Sequence, residues 1–494
     1  MNNSNVLQKI LINNRKKFLN KKYYSSEKIL VMHVEDGLLG HIFHDNIVAK
    51  AIQSNKKMDI FSINYGNNNI EDIDKSYGIS TIKNNRKFYL IPFLHALYCI
   101  LFKNTGDKII NIKYKGVTIG DYLYDEYLAK MRYKKNIYTI NRMNIKVGFE
   151  VVYNAFRNLC FGNKILKKYN YKYFIISEIT YTRAVLAELA LKKGITVVVA
   201  NINYGSFIPF INVKYKYGKL KVWNCTKEML KLVNKNCIKN KVQNYVSEKI
   251  IELTYVEKNN LCTELNINNG KKNVVILPHC LTDSPRMAAE GLVFKDYFEW
   301  FVCTIKMANK IDSVNWLVKA HPESYIYNES GIIEKIVENY KNIKMIPKNY
   351  NMYSVEAYAD IVITCCGDAG FEYAAKGIRT ICAARTAYTD CGISYRAKNK
   401  EGYFRYINNI DKISCKVSEE EKNKAIKIIK LYSQKREDND DLISLDKIML
   451  DKLFEMRENV DVIETWYLNK YLELQLHDKI MESNLYKKTS KRRY

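Results

Sequence analysis

The sequence predicts an α/β protein of two Rossmann-like domains facing a cleft, with a helical C-terminal extension. Three observations predict it. Short apolar runs that read as buried strands alternate with segments of helical spacing. The alternation falls into two series, separated by the polar stretch NINNGKKN at 266–273. Strand candidates then stop at about Val417. With 494 residues, 47% of them hydrophobic, the chain is too long for one core and has enough apolar residues for two.

Residues 1–27 form a polar, basic leader. KILVMHV (28–34) reads as a buried strand, EDGLLGH as a turn and IFHDNIVAKAIQ as a helix, the opening of a Rossmann-like unit. MDIFSINY (58–65), KIINIKY (108–114), YKYFIISE (171–178) and ITVVVAN (195–201) are further strand candidates. YTRAVLAELALKKG is a helix that Gly194 ends. This first domain spans 28–265 and the second 274–416. The second runs VVILP (274–278), the helix DYFEWFVCTIKMANK, VNWLVK (314–319), a helix near 331–340, NIKMIP, ADIVITCC (359–366), FEYAAKG and RTICAA (379–384). From 417 to 494, EEEKNKAIKIIKLYSQKRE and 443–475 have helical periodicity, and YKKTSKRRY is a basic tail.

The 79 Lys and Arg outnumber the 52 Asp and Glu, a net charge of +27 that attracts phosphate-rich partners and anionic surfaces. No zinc-finger spacing, aromatic RNA-binding signature or dense basic helix accompanies it, so no nucleic-acid partner is expected. Twelve cysteines without a C-x-x-C, several inside apolar runs, suggest reduced thiols and a cytoplasmic chain. The N-terminus lacks the h-region of a secretory signal. The apolar runs fall short of the roughly 20 residues a membrane span needs. Any membrane contact is therefore expected to be peripheral.

In a doubly wound sheet, ligands sit beyond the carboxyl ends of the strands. Lys319, His321 and Glu323 lie just past such an end in VNWLVKAHPES, and Pro322 keeps the histidine extended. A histidine and a lysine there suit a phosphate leaving group, whose charge must be neutralised as its bond breaks. A histidine that merely bonds backbone at a strand end fits the same motif. In ITCCGDAGFEYAAKG the small residues Gly367, Ala369 and Gly370 let a phosphate approach the start of a helix, and Glu372 is positioned to meet a ribose. An ordinary tight turn is the alternative.

K-x-H-P and G-x-x-G-x-E-x-x-x-x-G-I, followed by YTDCGISYRAKNKEGYFRYI, resemble the donor half of GT-B glycosyltransferases, in particular bacterial capsule and surface-polysaccharide biosynthesis proteins. The segment from VVILPHCLTDSPRM to KAHPES, YKGVTIGDYLYDEYL (114–128) and YFIISEITYTRAVLAELALKKGI (173–195) share the likeness, which covers roughly 108–410. The resemblance implies an enzyme that moves a sugar from a nucleotide-sugar donor to a glycan or lipid-linked glycan acceptor held in the cleft, with no cofactor. In the related HP-motif transferases for sialic acid and Kdo the histidine contacts the nucleotide phosphate, a role carried to His321. Their acidic D/E-D/E-G motif supplies the base, which here corresponds to Glu35-Asp36-Gly37. Asp36 is the expected base, with Glu35 and His41 as alternates, and a local cap is the rival reading of the turn.

His279, Asp283 and Arg286 are expected at the donor crevice, with Tyr388 and Gly392 covering the donor. Lys115, Asp121 and Glu178 are expected on the acceptor side. Asp72 and Asp74 read as a solvated loop, and no metal site is expected. A CDP-glycerol-type polyol-phosphate transferase shares the paired loops, and a non-catalytic subunit of an export machinery is the remaining alternative. An anionic membrane surface is a further expected partner, through the basic tail.

Overall fold

The computed structural model describes residues 3–18, 23, 25–33, 39–64, 68–83, 88–132, 137–203, 206–214, 256–350, 352–386 and 388–440. Among them the strands form two six-stranded sheets and one small hairpin. The first sheet has the order β3-β2-β1-β6-β7-β8, from β1 (Glu27–Met32), β2 (Asp59–Asn64), β3 (Ser80–Lys83), β6 (Asn170–Ile176), β7 (Thr196–Asn203) and β8 (Ser206–Lys214). It is parallel except for β8, which runs antiparallel to β7. The second is parallel throughout, with the order β11-β10-β9-β12-β13-β14. Its strands are β9 (Asn273–Leu277), β10 (Asn315–Val318), β11 (Ile343–Met345), β12 (Ile361–Thr364), β13 (Arg379–Cys382) and β14 (Tyr395–Arg396). The expected pair of Rossmann-like domains is what the chain forms.

The second sheet shows why its strands read as unbroken apolar runs. Successive side chains point to opposite faces, and both faces are covered. Val274, Ile276, Trp316 and Ile363 pack with Trp300 and Phe301 of the helix Tyr297–Ala308, while Val275, Leu277, Leu317 and Val362 pack on the other side with Val256 and Leu261. Val256 and Leu261, which the sequence assigns to the first domain, thus belong to the core of the second. Asp296 caps the helix Tyr297–Ala308 by accepting from the amide of Glu299 at 2.7 Å. The helix Glu419–Asp440 also joins this domain, with Ala425 and Ile428 packed beside Phe371 and Tyr388. The segment 443–475 lies outside the described residues.

KIINIKY is not a strand of the sheet. It divides between a helical turn, Gly106–Ile109, and the hairpin β4–β5 (Lys113–Tyr114 and Val117–Thr118). Gly106 lies so close to the Ile140 carbonyl that a Cβ would overlap it, so tertiary packing overrides the local β-pattern. Asp72 and Asp74 are not in a loop but in the helix Asn68–Ser76, and Asp74 is fully buried.

The two domains meet along the helix Gly120–Met131. Its Tyr124 hydroxyl donates to Asp296. Asp125 accepts from the amides of Arg286 (3.0 Å) and Met287 (2.9 Å), and Asp121 pairs with the Arg286 guanidinium at 2.9 Å. Beyond the helix, Arg132 donates to the Thr282 hydroxyl at 3.0 Å and its carbonyl at 3.1 Å.

Candidate active site

Beyond the carboxyl ends of β9, β10 and β12, neighbours in the second sheet, three loops converge. The β9 loop carries His279, Cys280 and Asp283; the β10 loop carries His321 and Glu323; the β12 loop carries Cys366, Gly367 and Asp368. The rings of His279 and His321 are nearly parallel, with centroids 6.2 Å apart. His279 also stacks on Tyr297 at 4.9 Å. Its Nε2 and the Tyr297 hydroxyl lie 3.4 and 3.1 Å from the Cys366 sulfur. At Gly367 a Cβ would stand 3.0 Å from the His279 Nε2, so a larger residue there would press on the imidazole.

The β9 and β10 loops are tied together by Glu329. Its carboxylate accepts from the amides of Leu281 (2.6 Å) and Thr282 (2.8 Å) and from the Thr282 hydroxyl (2.6 Å). These bonds fix the turn that aims His279 and Asp283.

His321 has an assignable tautomer. The amide of Glu323 donates to its Nδ1 at 3.2 Å, with the Cys280 sulfur at 3.4 Å from the same nitrogen. A backbone N–H only donates, so Nδ1 is the acceptor and the neutral ring carries its proton on Nε2. Burial, reinforced by the neighbouring His279, lowers His321 to about 4. It is therefore a neutral donor near pH 7. His279 behaves oppositely: burial works against its charge, but Cys366, Asp283 and Asp368 raise it to about 9. Cys366 is held well below the usual thiol range by the thiol of Cys365 and, against its burial, by His279 and Tyr297. A cation that faces the Cys366 sulfur and a neutral N–H donor thus share one crevice, and the neutral N–H can donate to an anion such as a phosphate.

Other expected donor residues fall differently. Lys319 is buried, and its ammonium donates to the Pro347 carbonyl at 3.3 Å, toward β11 and on the far side of β10 from Gly367. Burial lowers it to about 8. Tyr388 does not cover the site as a flap. It is buried, and its hydroxyl donates to the Gly367 carbonyl and shapes the loop from below. A Cβ on Gly370 would overlap that hydroxyl. Glu372, in the first turn of the helix Ala369–Ala375, is raised to about 7 by burial and by Asp368.

The acceptor-side residues are not brought together. Asp121 is committed to Arg286 at the domain seam. Lys115 lies in the β4–β5 turn, where its carbonyl accepts from Lys192 at 2.7 Å. Lys192 ends the helix that leads into the start of β7, so Lys115 sits toward the amino ends of the strands. Glu178 follows the opposite, carboxyl end of β6, pairing with Arg183 at 3.4 Å. Glu35 and Asp36 lie outside the described residues; His41 falls in the helix Leu39–Lys56, and its side chain is likewise outside them.

Sequence reasoning missed a second polar cluster. His33, immediately after β1, is fully buried between Asp45 (Nδ1, 3.1 Å) and Asp74 (Nε2, 3.0 Å). Asn46 donates to Asp74 at 2.9 Å, and the Ser62 hydroxyl donates to its other carboxylate oxygen. The signal was present: His33 closes an apolar run in KILVMHV as His321 does in VNWLVKAHP. Among the described residues no group of three or more His, Cys, Asp or Glu side chains stands where it could hold a metal ion.

No protein-family model and no curated protein matches the chain. Solved structures with some likeness include Thermosulfurimonas dismutans KpsC, a beta Kdo 2,4 transferase, at 14% identity and TM-score 0.30, covering 52% of this chain and 79% of that one. The UDP-GlcNAc 2-epimerase of Methanocaldococcus jannaschii is 10% identical at TM-score 0.25, covering 83% and 99%. The glycosyltransferase SnogD of Streptomyces nogalater is 11% identical at TM-score 0.24, covering 85% and 100%. Likenesses this loose carry no information on activity.

Proposed function

We propose that the protein is a GT-B-type glycosyltransferase that moves a sugar from a nucleotide-sugar donor to a growing capsular or other surface polysaccharide on the cytoplasmic side of a membrane. The observation that carries this reading is the convergence of His279, His321 and the Gly367 loop at the carboxyl ends of three adjacent parallel strands. The donor phosphate accepts from the His321 Nε2–H and lies near the His279 cation, which offsets the charge that grows as the bond from the anomeric carbon to the phosphate oxygen breaks.

The acceptor hydroxyl attacks the anomeric carbon while a carboxylate takes its proton. Asp36 is one such carboxylate. Asp283 is the other: burial raises it, Tyr327 hydrogen-bonds to it, and it interacts with His279. No cofactor or metal enters this scheme; the nucleotide-sugar is a substrate.

A panel of CMP-, UDP-, GDP- and CDP-activated donors, scored by nucleotide release and product linkage, tests the reading. One donor class is expected to turn over, with His321→Ala about 10–100-fold slower, as for loss of one hydrogen bond to a charged group. Asp36→Asn and Asp283→Asn distinguish the two bases. Unchanged turnover in His321→Ala refutes the site. A phosphodiester product from CDP-glycerol would assign a polyol-phosphate transferase instead.

A further inference from the structure

The helix Leu90–Phe102 is apolar apart from the exposed His95, yet buries one stripe only. Pro92, Ala96, Cys99 and Ile100 face inward, with Ile100 against Gly148 of the helix Ile145–Lys168. Leu90, Ile91, Leu94, Leu97, Tyr98, Leu101 and Phe102, with Phe88 just before them, are 40–66% exposed. Eight of the eleven exposed large hydrophobics among the described residues are these, a concentration that marks an interaction surface.

Cations border the patch. The Lys164 ammonium stands 5.1 Å from the Tyr89 ring. The Arg157 guanidinium stands 5.8 Å from Tyr153, whose ring stacks with Phe88 at 6.3 Å. Lys103 follows the helix, and the sequence from 84 to 106 contains Arg86, Lys87 and Lys103 but no acid. A helix of 13 residues is too short to span a bilayer. An apolar face with aromatic and cationic borders is the pattern of a helix lying in the headgroup plane. A second copy fits less well, because a two-fold contact would bring the cations of this segment, Arg86, Lys87 and Lys103, toward their own copies.

We propose that the helix Leu90–Phe102 docks the protein onto an anionic lipid bilayer, lying in its interface. Co-sedimentation with vesicles, without donor or acceptor, tests this independently of the transfer assay. The wild type is expected to bind phosphatidylcholine vesicles containing about 30% phosphatidylglycerol, and to bind pure phosphatidylcholine more weakly. The Leu94→Glu/Leu101→Glu double variant is expected to bind at least about tenfold less with a melting temperature close to that of the wild type, since both side chains are more than half exposed. Lys164→Glu is expected to weaken binding on the anionic vesicles alone. The proposal is overturned if the wild type stays in the supernatant, or if the double variant binds as the wild type does. A wild-type dimer by light scattering that the double variant dissolves, without vesicle binding, would instead assign the face to a second copy.

Discussion

His33 and Asp45 form a fully buried pair, with the imidazole Nδ1 3.1 Å from the carboxylate. Asp74 occupies the other ring nitrogen, so both nitrogens donate and the ring is an imidazolium. Burial opposes this charge, but the two carboxylates outweigh it and lift His33 to about 10. A histidine raised above its unfolded value contributes stability that is complete below about pH 6.5 and lost as pH climbs through about 10. His33→Ala would leave two carboxylates facing each other without a cation. Chemical denaturation at pH 7 is expected to show a loss of about 3–5 kcal/mol.

His321 has the opposite sign. Its folded value of about 4 lies below the unfolded one, so the unfolded chain binds more protons between about pH 4 and 6.5. The stability it contributes is present above that window and lost as pH falls through it. An NMR titration of the ring is expected to show no protonation at pH 6 without ligand, and an upward shift when a nucleotide phosphate binds.

Cys366 is expected to be the first described cysteine to react with iodoacetamide at pH 7. Its neighbours Cys280, Cys365 and Cys382 are all raised by burial, while Cys366 is lowered. Fragment mass spectrometry reads the site of labelling, and a nucleotide seated beside His279 is expected to slow it.

Gly370→Ala tests the floor of the β12 loop. The new methyl would overlap the Tyr388 hydroxyl that holds the Gly367 carbonyl, so the melting temperature is expected to fall by the equivalent of about 1–3 kcal/mol. Tyr388→Phe in the same background leaves ring carbons 2.6 Å from the new methyl and is expected not to restore the loss.

Tyr124→Phe tests the domain seam. It removes the hydroxyl that donates to the buried Asp296, at an expected cost of about 1–2 kcal/mol. Calorimetry is expected to show the two domains unfolding in more separated transitions.

Periodicity marked the central strands of both series, because a parallel strand covered on both faces must be apolar throughout, and VVILP, VNWLVK and ADIVITCC are, although KIINIKY fits the pattern without entering either six-stranded sheet. The strand-end motifs also located His279, His321 and Gly367. The short strands β3 and β14 left no usable signal; Ser80–Lys83 and Tyr395–Arg396 are defined by their neighbours' hydrogen bonds rather than by a pattern of their own.

Tertiary structure alone decided which polar residues meet. Asp74 looked like part of a solvated run because its neighbours in sequence are polar, yet the helix that carries it turns it inward to His33, 41 positions away. Lys319 and His321 look equivalent in the sequence, but they point to opposite sides of β10, one to Pro347 and the other to Cys280 beyond β9. The exposed face of Leu90–Phe102 was equally invisible, since an apolar helix reads as buried until the structure shows that only one stripe is covered. Periodicity reports what a segment needs; its partners come from contacts between residues far apart in the chain.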